Sequence, residues 1–472
     1  MCPSIDTVYT KEKPCFWDNL LQKGSLVALE TESESYSYTE LDSAAKKFSG
    51  NIPERSLIFL VCKNCPEAIV AYIGCLQKRI VPILISETIN KELLGKLLDR
   101  YEPQYVWCPA NFMEGDGCFS LCEYKLVRHS KSKKNLYDEL ALLITTSGST
   151  GSPKFVRQSY KNIQTNTESI VEFLNIQADD RAITTMPMNY TYGLSIIQTH
   201  LMAGARLIVT NRSLFSKEFW EMLKKKKATT FGAVPYTYQM LDRLRFLKMD
   251  LPFLKYITQA GGGLGEELHK KYAQGLREKN IGFFVMYGAT EATARMSYVP
   301  SERSIEKAGS IGVAIPGGRF SLIDENGTPI ASPDTAGELV YYGDNVTLGY
   351  AESVEDLAKG DENQGRLNTG DMALFDKDGF FYIVGRKKRF LKLYGNRVNL
   401  VEIEDLLKNR GFECACSGED DHMMIYTTSI ELQNVVDAVS EITGINRTAF
   451  KATHIEDFPR NSAGKILYSE LR

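Results

Sequence analysis

The chain has 472 residues, which is too long for one hydrophobic core, so we expect two or more domains. Hydrophobic residues make up 43% and charged residues 24% of the sequence, a balance typical of soluble globular proteins. The formal net charge of −3 gives no global reason to expect a nucleic-acid partner.

The ten cysteines do not predict a disulfide framework. Cys62-Lys63-Asn64-Cys65 is a C-x-x-C pair and Cys414-Ala415-Cys416 is a second close pair, but neither has the further ligands that a zinc site needs. Reduced, buried thiols are expected, which fits a cytoplasmic protein. The sequence shows no signal-peptide pattern, and its apolar runs are too short for a membrane span.

Short apolar runs alternate with helical patterns in the first part of the chain. Leu57–Val61, Ile80–Ile85 and Tyr105–Trp107 predict buried strands. Pro66 begins one predicted helix, and Lys91–Arg100 forms another. This β-α-β-α-β order predicts a parallel sheet with helices on both faces.

The alternation continues beyond a further apolar run, Leu140–Ile144. Strands are predicted at residues 206–210, 229–235, 256–260 and 281–287. In such sheets, ligands bind beyond the carboxyl ends of the strands. Three stretches that directly follow strand ends are therefore candidate binding segments: 145–154, 260–264 and 287–291.

The pattern changes near residue 309, where Gly-containing turns at 324–327 and 376–379 separate short alternating strands. This predicts a β-rich subdomain at about 309–386. The basic run Gly385–Arg389 predicts a boundary, with a large domain over 1–386 and a small α+β domain over 387–472. The predicted fold class is α/β, with parallel and mixed sheets and helices in the large N-terminal domain.

Residues 145–155 read TTSGSTGSPKF. Glycine and hydroxyl residues after a strand present backbone N–H and side-chain O–H donors to phosphate oxygens, and Lys154 adds a charge-assisted contact. The loop is not a Walker A motif, because its lysine follows Ser152-Pro153 rather than a glycine. Taken alone, such a loop is better interpreted as a flexible turn of small residues.

The stretch Thr146–Lys154 resembles the phosphate loop of the adenylate-forming enzymes, a superfamily that includes acyl-CoA synthetases, luciferases and the adenylation domains of nonribosomal peptide synthetases. Further motifs follow in the family's order. Tyr287–Glu291 resembles the adenine and magnesium motif, and Thr369–Asp371 resembles the ribose motif. Gly385–Val398 resembles the hinge region and Asn461–Lys465 the C-terminal lysine motif.

The resemblance implies ATP and Mg²⁺ as cofactors, with an acyl-adenylate and pyrophosphate as the first products. It implies these nucleotide-binding residues: Thr146, Ser147, Gly148, Ser149, Thr150, Gly151, Lys154, Gly261, Gly262, Tyr287, Gly288, Ala289, Thr290, Asp371, Arg386 and Lys465. Tyr287 is implied to stack on adenine, Asp371 to accept the ribose hydroxyls and Glu291 to hold Mg²⁺. Each also has a structural alternative, such as a buried aromatic, a turn residue or a helix cap.

The implied catalytic residues are Thr290, Glu291, Lys392 and Lys465. Lys465 would bridge the acyl carboxylate and the α-phosphate during adenylation. For the second half-reaction, the resemblance implies a mobile small domain that rotates about a hinge at Lys388 and presents Lys392. A solvated basic hairpin is the alternative for these last two lysines.

Pro187–Leu194 aligns with the family's gate and acyl-pocket motif. Many acyl-CoA synthetases have histidine where Tyr190 stands, and amino-acid-activating domains have an aspartate where Gly193 stands. Because a buried, unpaired ammonium is costly, the substrate is predicted to be a carboxylic acid without an α-amino group. D-alanine-like amino-acid activation is the alternative. Candidate pocket residues, with ordinary core packing as the alternative, are Tyr190, Tyr192, Gly193, Val234, Tyr236 and Met286.

The acceptor thiol remains open between coenzyme A and the phosphopantetheine arm of a separate carrier protein. The lysine run 224–227 would suit an acidic carrier, although such runs are more often solvated. Two other classes compete with the ligase hypothesis: a non-catalytic nucleotide-binding regulator, and a phosphotransferase that releases ADP.

Overall fold

The computed structural model describes residues 14–145, 154–386, 389–394, 396–419, 421–460 and 466–471. These residues form an α/β fold with a large N-terminal part and a smaller C-terminal part. Two extended sheets dominate the N-terminal part, and an antiparallel sheet follows them in the chain. This confirms the predicted fold class.

The first sheet is parallel through its centre. Antiparallel strands flank it on both edges. In spatial order its strands are Val313–Ala314, Ser297–Tyr298, Gly282–Tyr287, Tyr256–Gln259, Thr230–Ala233, Arg181–Ile183, Arg206–Ile208, Val27–Glu30 and Ser35–Ser37. The predicted strand over 229–235 ends at Ala233, because Pro235 begins the helix Pro235–Arg243.

The second sheet has a parallel centre made of the predicted apolar runs. In spatial order its strands are Gly349–Ala351, Phe155–Ser159, Leu140–Thr145, Val81–Ser86, Leu57–Cys62, Tyr105–Pro109, Tyr124–Arg128 and Gly117–Leu121. Every residue of Leu57–Cys62 is buried, as a strand covered on both faces requires.

Helices pack between and outside these sheets. They are Tyr38–Ser49, Pro66–Gln77, Lys91–Tyr101, Tyr160–Leu174, Thr191–Ala203, Lys217–Lys225, Pro235–Arg243 and Glu266–Arg277. The largest apolar cluster joins Leu29 and Leu207 of the first sheet to Leu60 of the second through buried helix residues such as Ile69 and Ile197. The two sheets therefore share one core. Among the described residues, no helix has the length and apolarity needed to cross a bilayer.

The later part of the chain forms smaller sheets. The antiparallel sheet contains Pro329–Ile330, Arg319–Ile323, Gly337–Tyr342, Arg366–Phe375 and Phe381–Arg386. The C-terminal part contains the hairpin Phe390–Leu393 and Asn396–Asn399, the strands Cys414–Glu419, His422–Thr427 and Phe450–His454, and the helices Leu400–Asn409 and Leu432–Thr443. The domain boundary at residue 386 stays a prediction.

Arg157 ties the strand Phe155–Ser159 to the segment that returns beside it. This arginine is fully buried. Its Nε and Nη2 donate hydrogen bonds to the carbonyl oxygens of Tyr350 and Leu348 at 3.0 and 2.9 Å. It also forms an ion pair with Glu362. These contacts satisfy the buried guanidinium and hold two segments far apart in sequence as one unit.

Candidate nucleotide and acid site

Tyr287, Asp371 and Arg386 form a connected group at the end of the parallel strand Gly282–Tyr287. The Tyr287 hydroxyl donates a hydrogen bond to Asp371 Oδ2 at 2.5 Å. Asp371 Oδ1 lies 2.8 Å from Arg386 Nε. Burial and the nearby Asp371 carboxylate raise the pKa of Tyr287, so its hydroxyl stays protonated and donates. The structure thus brings together three of the predicted nucleotide-binding residues.

Two glycine segments at neighbouring strand ends leave no room for a side chain. Gly261 has a φ of +89°, and an added Cβ would lie 2.7 Å from Tyr190 Oη. A Cβ on Gly288 would lie only 1.9 Å from the Ala294 carbonyl oxygen. The backbone at both predicted adenine-pocket segments is therefore fixed by close packing. Gly262 follows against Pro235, with 3.3 Å from an added Cβ to Cγ.

Thr290 and Glu291 lie in the short 3₁₀ helix Thr290–Ala292, directly after these segments. Glu291 Oε1 accepts a hydrogen bond of 2.6 Å from the Tyr350 hydroxyl. The Glu291 carbonyl oxygen accepts hydrogen bonds of 3.0 Å from both the backbone N–H and the hydroxyl of Thr347. The predicted magnesium ligand is therefore held through its backbone and its side chain. A carboxylate so placed is the type of oxygen donor that Mg²⁺ prefers.

Lys154 lies near the same corner. Its Nζ is 2.5 Å from Glu352 Oε1 and 6.0 Å from the centre of the Tyr350 ring. Neither Tyr350 nor Glu352 was predicted to belong to the site. They reach it because the strand Gly349–Ala351 pairs antiparallel with Phe155–Ser159. No local sequence signal predicts this pairing.

Several predicted site residues cannot be placed. The phosphate-loop residues Thr146, Ser147, Gly148, Ser149, Thr150 and Gly151, together with Lys388 and Lys465, lie outside the described residues. Lys392 belongs to the strand Phe390–Leu393, but its side chain is likewise outside the description. Their roles stay predictions. Among the described residues, no cluster of His, Cys, Asp and Glu side chains has the size of a metal site.

The predicted acyl-pocket residues fall into three environments. Tyr192, Val234 and Met286 are buried in one apolar cluster, with Tyr190 packed against it. Val234 also borders a cavity of about 650 Å³, as does Tyr236. Gly193 serves close packing instead, because a Cβ there would lie 2.2 Å from the Pro187 carbonyl oxygen.

The cavity lies at the carboxyl ends of strands from both large sheets. Asn64 and Asn211 line it and connect the two sheets reciprocally. The backbone N–H of Asn64 donates to Asn211 Oδ1 at 3.0 Å, and Asn211 Nδ2 donates to the Asn64 carbonyl oxygen at 2.8 Å. The C-terminal residues Phe458 and Arg460 close another side. The Arg460 guanidinium lies 4.8 Å from the Tyr236 ring centre. The cavity therefore occupies the position in which such sheets bind their ligands.

Arg295 is a further residue that the sequence analysis missed. Its side chain is buried, with the guanidinium 4.1 Å from the centre of the Tyr192 ring. The available signal was a charged residue four positions after Glu291, within the otherwise uncharged run Ala292–Tyr298. Sequence alone does not reveal that this charge points inward.

This fold and this group of residues define an adenylate-forming enzyme of the acyl-CoA synthetase type. The family model of the AMP-binding enzymes matches residues 16–351, and the chain belongs to that family. A 2-succinylbenzoate–CoA ligase of Bacillus cereus is 24% identical over 94% of this chain and 95% of its own length. An oxalate–CoA ligase of Arabidopsis thaliana is 31% identical over 57% of this chain and 52% of its own length.

Solved structures share the whole fold. The O-succinylbenzoate coenzyme A synthetase of Bacillus subtilis in complex with AMP superposes with a TM-score of 0.78, at 22% identity, over 98% of both chains. The same enzyme in complex with ATP and magnesium ion gives a TM-score of 0.78 at 20% identity, over 97% of this chain and 99% of that chain. The likeness covers the large N-terminal part and the smaller C-terminal part together.

Proposed function

We propose that this enzyme activates a carboxylic acid without an α-amino group. ATP and the acid give an acyl-adenylate and pyrophosphate, and the acyl group then passes to the thiol of coenzyme A. The observation that carries the proposal is the hydrogen-bonded group Tyr287–Asp371–Arg386 at the end of a parallel strand. A buried carboxylate with one oxygen on a tyrosine and the other on an arginine is fixed in the orientation needed to accept two ribose hydroxyls.

The remaining predicted residues would act around this nucleotide position. Lys154 and the loop before it would bind the β- and γ-phosphates, and Thr290 would donate to the α-phosphate. Glu291 would contribute a carboxylate oxygen to Mg²⁺, which supplies charge stabilisation for the phosphate oxygens. Lys465 would offset the negative charges of the acid and the α-phosphate as the two approach each other. The two reactants are both anions, so positive charge and N–H donors matter more than a general base.

The packing at Gly193 supports an acid without an ammonium group. In the amino-acid-activating relatives, an aspartate at the matching position clamps the substrate ammonium. Here a side chain would collide with the carbonyl oxygens of Pro187 and Met186, 2.2 and 2.7 Å from an added Cβ. The buried cation Arg295 lies in the same neighbourhood and would repel an ammonium. Amino-acid activation is accordingly the weaker alternative.

Coenzyme A is the preferred acceptor because the relatives of similar length are named CoA ligases. The phosphopantetheine of a separate carrier protein is the second candidate, since it presents the same thiol. Rotation of the C-terminal part about Lys388, with Lys392 turned towards the active site, would separate the two half-reactions.

Pyrophosphate exchange with a panel of carboxylic acids, run with and without coenzyme A or a phosphopantetheinylated carrier, tests the proposal. We expect acid-dependent exchange, AMP as the nucleotide product and a thioester on coenzyme A. Release of ADP would support a phosphotransferase instead. ATP binding without turnover of any acid would support a regulator, and exchange restricted to amino acids would overturn the predicted substrate class.

A further inference from the structure

Arg295 carries a charge in the protein interior, and the part of the chain that the structure describes places no carboxylate against it. Its residue is 3% exposed. Among the described residues, its guanidinium makes one hydrogen bond, from Nη1 to the Ala294 carbonyl oxygen at 3.3 Å, and no carboxylate lies within ion-pair distance. Its buried Nε has no hydrogen-bond acceptor among these residues. An arginine so buried is normally paired with a carboxylate or fully hydrogen-bonded, because removal of a charge from water is costly.

Arg157 shows how a buried arginine with a structural role is paired in this protein. Arg157 is also fully buried, and its guanidinium meets several backbone carbonyl oxygens and the Glu362 carboxylate. Arg295 has the Tyr192 ring face and one long hydrogen bond instead. A cation–π contact compensates only part of the lost hydration. Donors of Arg295 therefore remain without an acceptor among the residues that the structure describes.

The backbone of Arg295 is held firmly. Its N–H donates to Asn166 Oδ1 at 3.2 Å, and its carbonyl oxygen accepts from Asn166 Nδ2 and from Asn345 Nδ2, both at 2.9 Å. Asn345 also donates to the Ala292 carbonyl oxygen at 3.0 Å. A side chain on such a support is positioned before any ligand arrives, which lowers the entropic cost of binding.

The guanidinium lies beside the predicted acyl pocket. Tyr192, whose ring it covers, belongs to the buried cluster with Val234 and Met286. Burial lowers the pKa of Arg295, and the groups that act on it electrostatically are Tyr192 and Tyr190. Tyr190 in turn packs against Gly261 of the adenine-pocket segment. The cation is thus separated from the nucleotide position by the pocket residues themselves.

We propose that Arg295 binds a second anionic group of the substrate, a distal carboxylate, while the first carboxylate is activated by ATP. The substrate class is a dicarboxylic acid, and this inference rests on the proposed function. The planar guanidinium presents paired N–H donors that match a carboxylate in a bidentate arrangement. In the bound state, the distal carboxylate accepts hydrogen bonds from Arg295 donors, including the Nε that has no acceptor among the described residues.

Matched substrate pairs test this proposal. Dicarboxylic acids of increasing length are compared with their monomethyl esters in pyrophosphate exchange, using the full-length enzyme and the variants Arg295→Met, Arg295→Lys and Arg277→Met. Arg277 is exposed, at the end of the helix Glu266–Arg277, and serves as the control. We expect the unmodified enzyme to prefer a diacid over its monoester. Arg295→Met should lower kcat/KM for the diacid on the order of 100-fold, mainly through KM, and should change the monoester far less.

Arg295→Lys should retain part of the diacid preference, because the charge stays but the paired donors are lost. Arg277→Met should behave as the unmodified enzyme. The inference is overturned if the unmodified enzyme shows no preference for the diacid, a comparison that does not depend on the folding of any variant. It is also overturned if Arg295→Met lowers the thermal unfolding midpoint while exchange with diacid and monoester falls equally. Exchange with monoacids alone refutes the inference and leaves the proposed function intact, whereas exchange with no acid refutes both.

Discussion

The Tyr350 hydroxyl donates a 2.6 Å hydrogen bond to Glu291 Oε1, and this bond joins the predicted magnesium ligand to the strand beside Phe155–Ser159. Burial and the negative charge of Glu291 raise the pKa of Tyr350, so the hydroxyl remains a donor at neutral pH. Lys154 lies over the same ring and pairs with Glu352. One short strand therefore orients the residue predicted to bind the metal and the lysine predicted to bind the phosphates.

Tyr350→Phe is expected to weaken the response to magnesium. The substitution removes the hydrogen bond that orients Glu291 and leaves the Tyr350 backbone contacts in place. If this hydrogen bond contributes about 1–2 kcal/mol to Mg²⁺ binding, its loss raises the half-saturating Mg²⁺ concentration in pyrophosphate exchange about 5- to 30-fold. Tyr342→Phe is the control, since this hydroxyl makes no hydrogen bond with the described residues. An unchanged magnesium titration for Tyr350→Phe would exclude this role.

Asp371→Asn is expected to reduce the recognition of the ribose. The asparagine amide has only one oxygen, so it cannot accept a hydrogen bond from each ribose hydroxyl on a separate oxygen. The ion pair with Arg386 is also lost. KM for ATP should rise on the order of 10- to 100-fold, and the preference for ATP over 2′-deoxy-ATP should shrink. Tyr287→Phe keeps the ring and the carboxylate, so its effect on this preference should be smaller. Equal discrimination in Asp371→Asn and in the unmodified enzyme would contradict the assignment.

Lys465→Ala and Lys392→Ala are expected to separate the two half-reactions. Lys465→Ala should abolish acid-dependent pyrophosphate exchange while ATP binding, followed by calorimetry, stays largely intact. Lys392→Ala should keep the exchange and slow the formation of the thioester. If both variants lost both activities to the same extent, the argument for two orientations of the C-terminal part would fail.

Gly193→Ala is expected to destabilise the protein. A Cβ at this position lies 2.2 Å from the Pro187 carbonyl oxygen, so the helix Thr191–Ala203 or the backbone before it must shift, at a cost of at least about 2 kcal/mol. Gly95→Ala is the matched control, because Gly95 lies inside the helix Lys91–Tyr101 with nothing within 4 Å of an added Cβ. The control should gain about 0.5–1 kcal/mol. Shifts of the thermal midpoint in the same direction would refute the packing argument.

His269 is expected to make the stability of the fold depend on pH. Its Nδ1 accepts the Gly309 N–H at 3.1 Å, and Nε2 lies 2.9 Å from Ser304 Oγ. Burial lowers the pKa of His269 from 6.5 to about 4, because the charged ring would lose its hydration, and the negative charge of Glu266 offsets only part of this effect. The stabilising contribution is therefore complete above pH 6.5 and is lost as the pH falls towards 4.

Urea unfolding between pH 7.5 and 4 measures this effect. His269→Asn keeps an acceptor for Gly309 but does not titrate, so its unfolding free energy should fall less on acidification. His200, whose pKa burial also lowers to about 4, supplies part of the remaining dependence. Parallel pH curves for His269→Asn and the unmodified protein would rule out the contribution of His269.

The sequence predicted the elements whose signals are local. Leu57–Cys62 consists of apolar residues and is buried at every position. Pro66 begins a helix, as its fixed φ favours at the first helical position. Tyr287 and Asp371 were recognised from motifs and meet in the structure at hydrogen-bond distance. Tyr287 ends a parallel strand, whereas Asp371 lies within the antiparallel strand Arg366–Phe375. The motifs therefore identified each residue separately, and the contact between them results from the packing of two sheets.

The contacts between distant segments were not predictable in the same way. The strand Val27–Glu30 pairs with Arg206–Ile208, and nothing in either segment specifies the other. The role of Tyr350 depends on such a pairing, since its own neighbours in sequence form only a short strand. Arg295 and Arg157 are both charged residues that composition would place on the surface. Their burial results from the packing of the whole domain.

The carbonyl contacts of Arg157 have a consequence for attempts to exchange segments between relatives. The guanidinium fits the carbonyl positions of Leu348 and Tyr350 and the carboxylate of Glu362 together. A chimera that replaced residues 155–159 without residues 348–362 would combine a cation from one parent with acceptors from another. A functional chimera of this enzyme should therefore take residues 155–159 and 348–362 from the same parent.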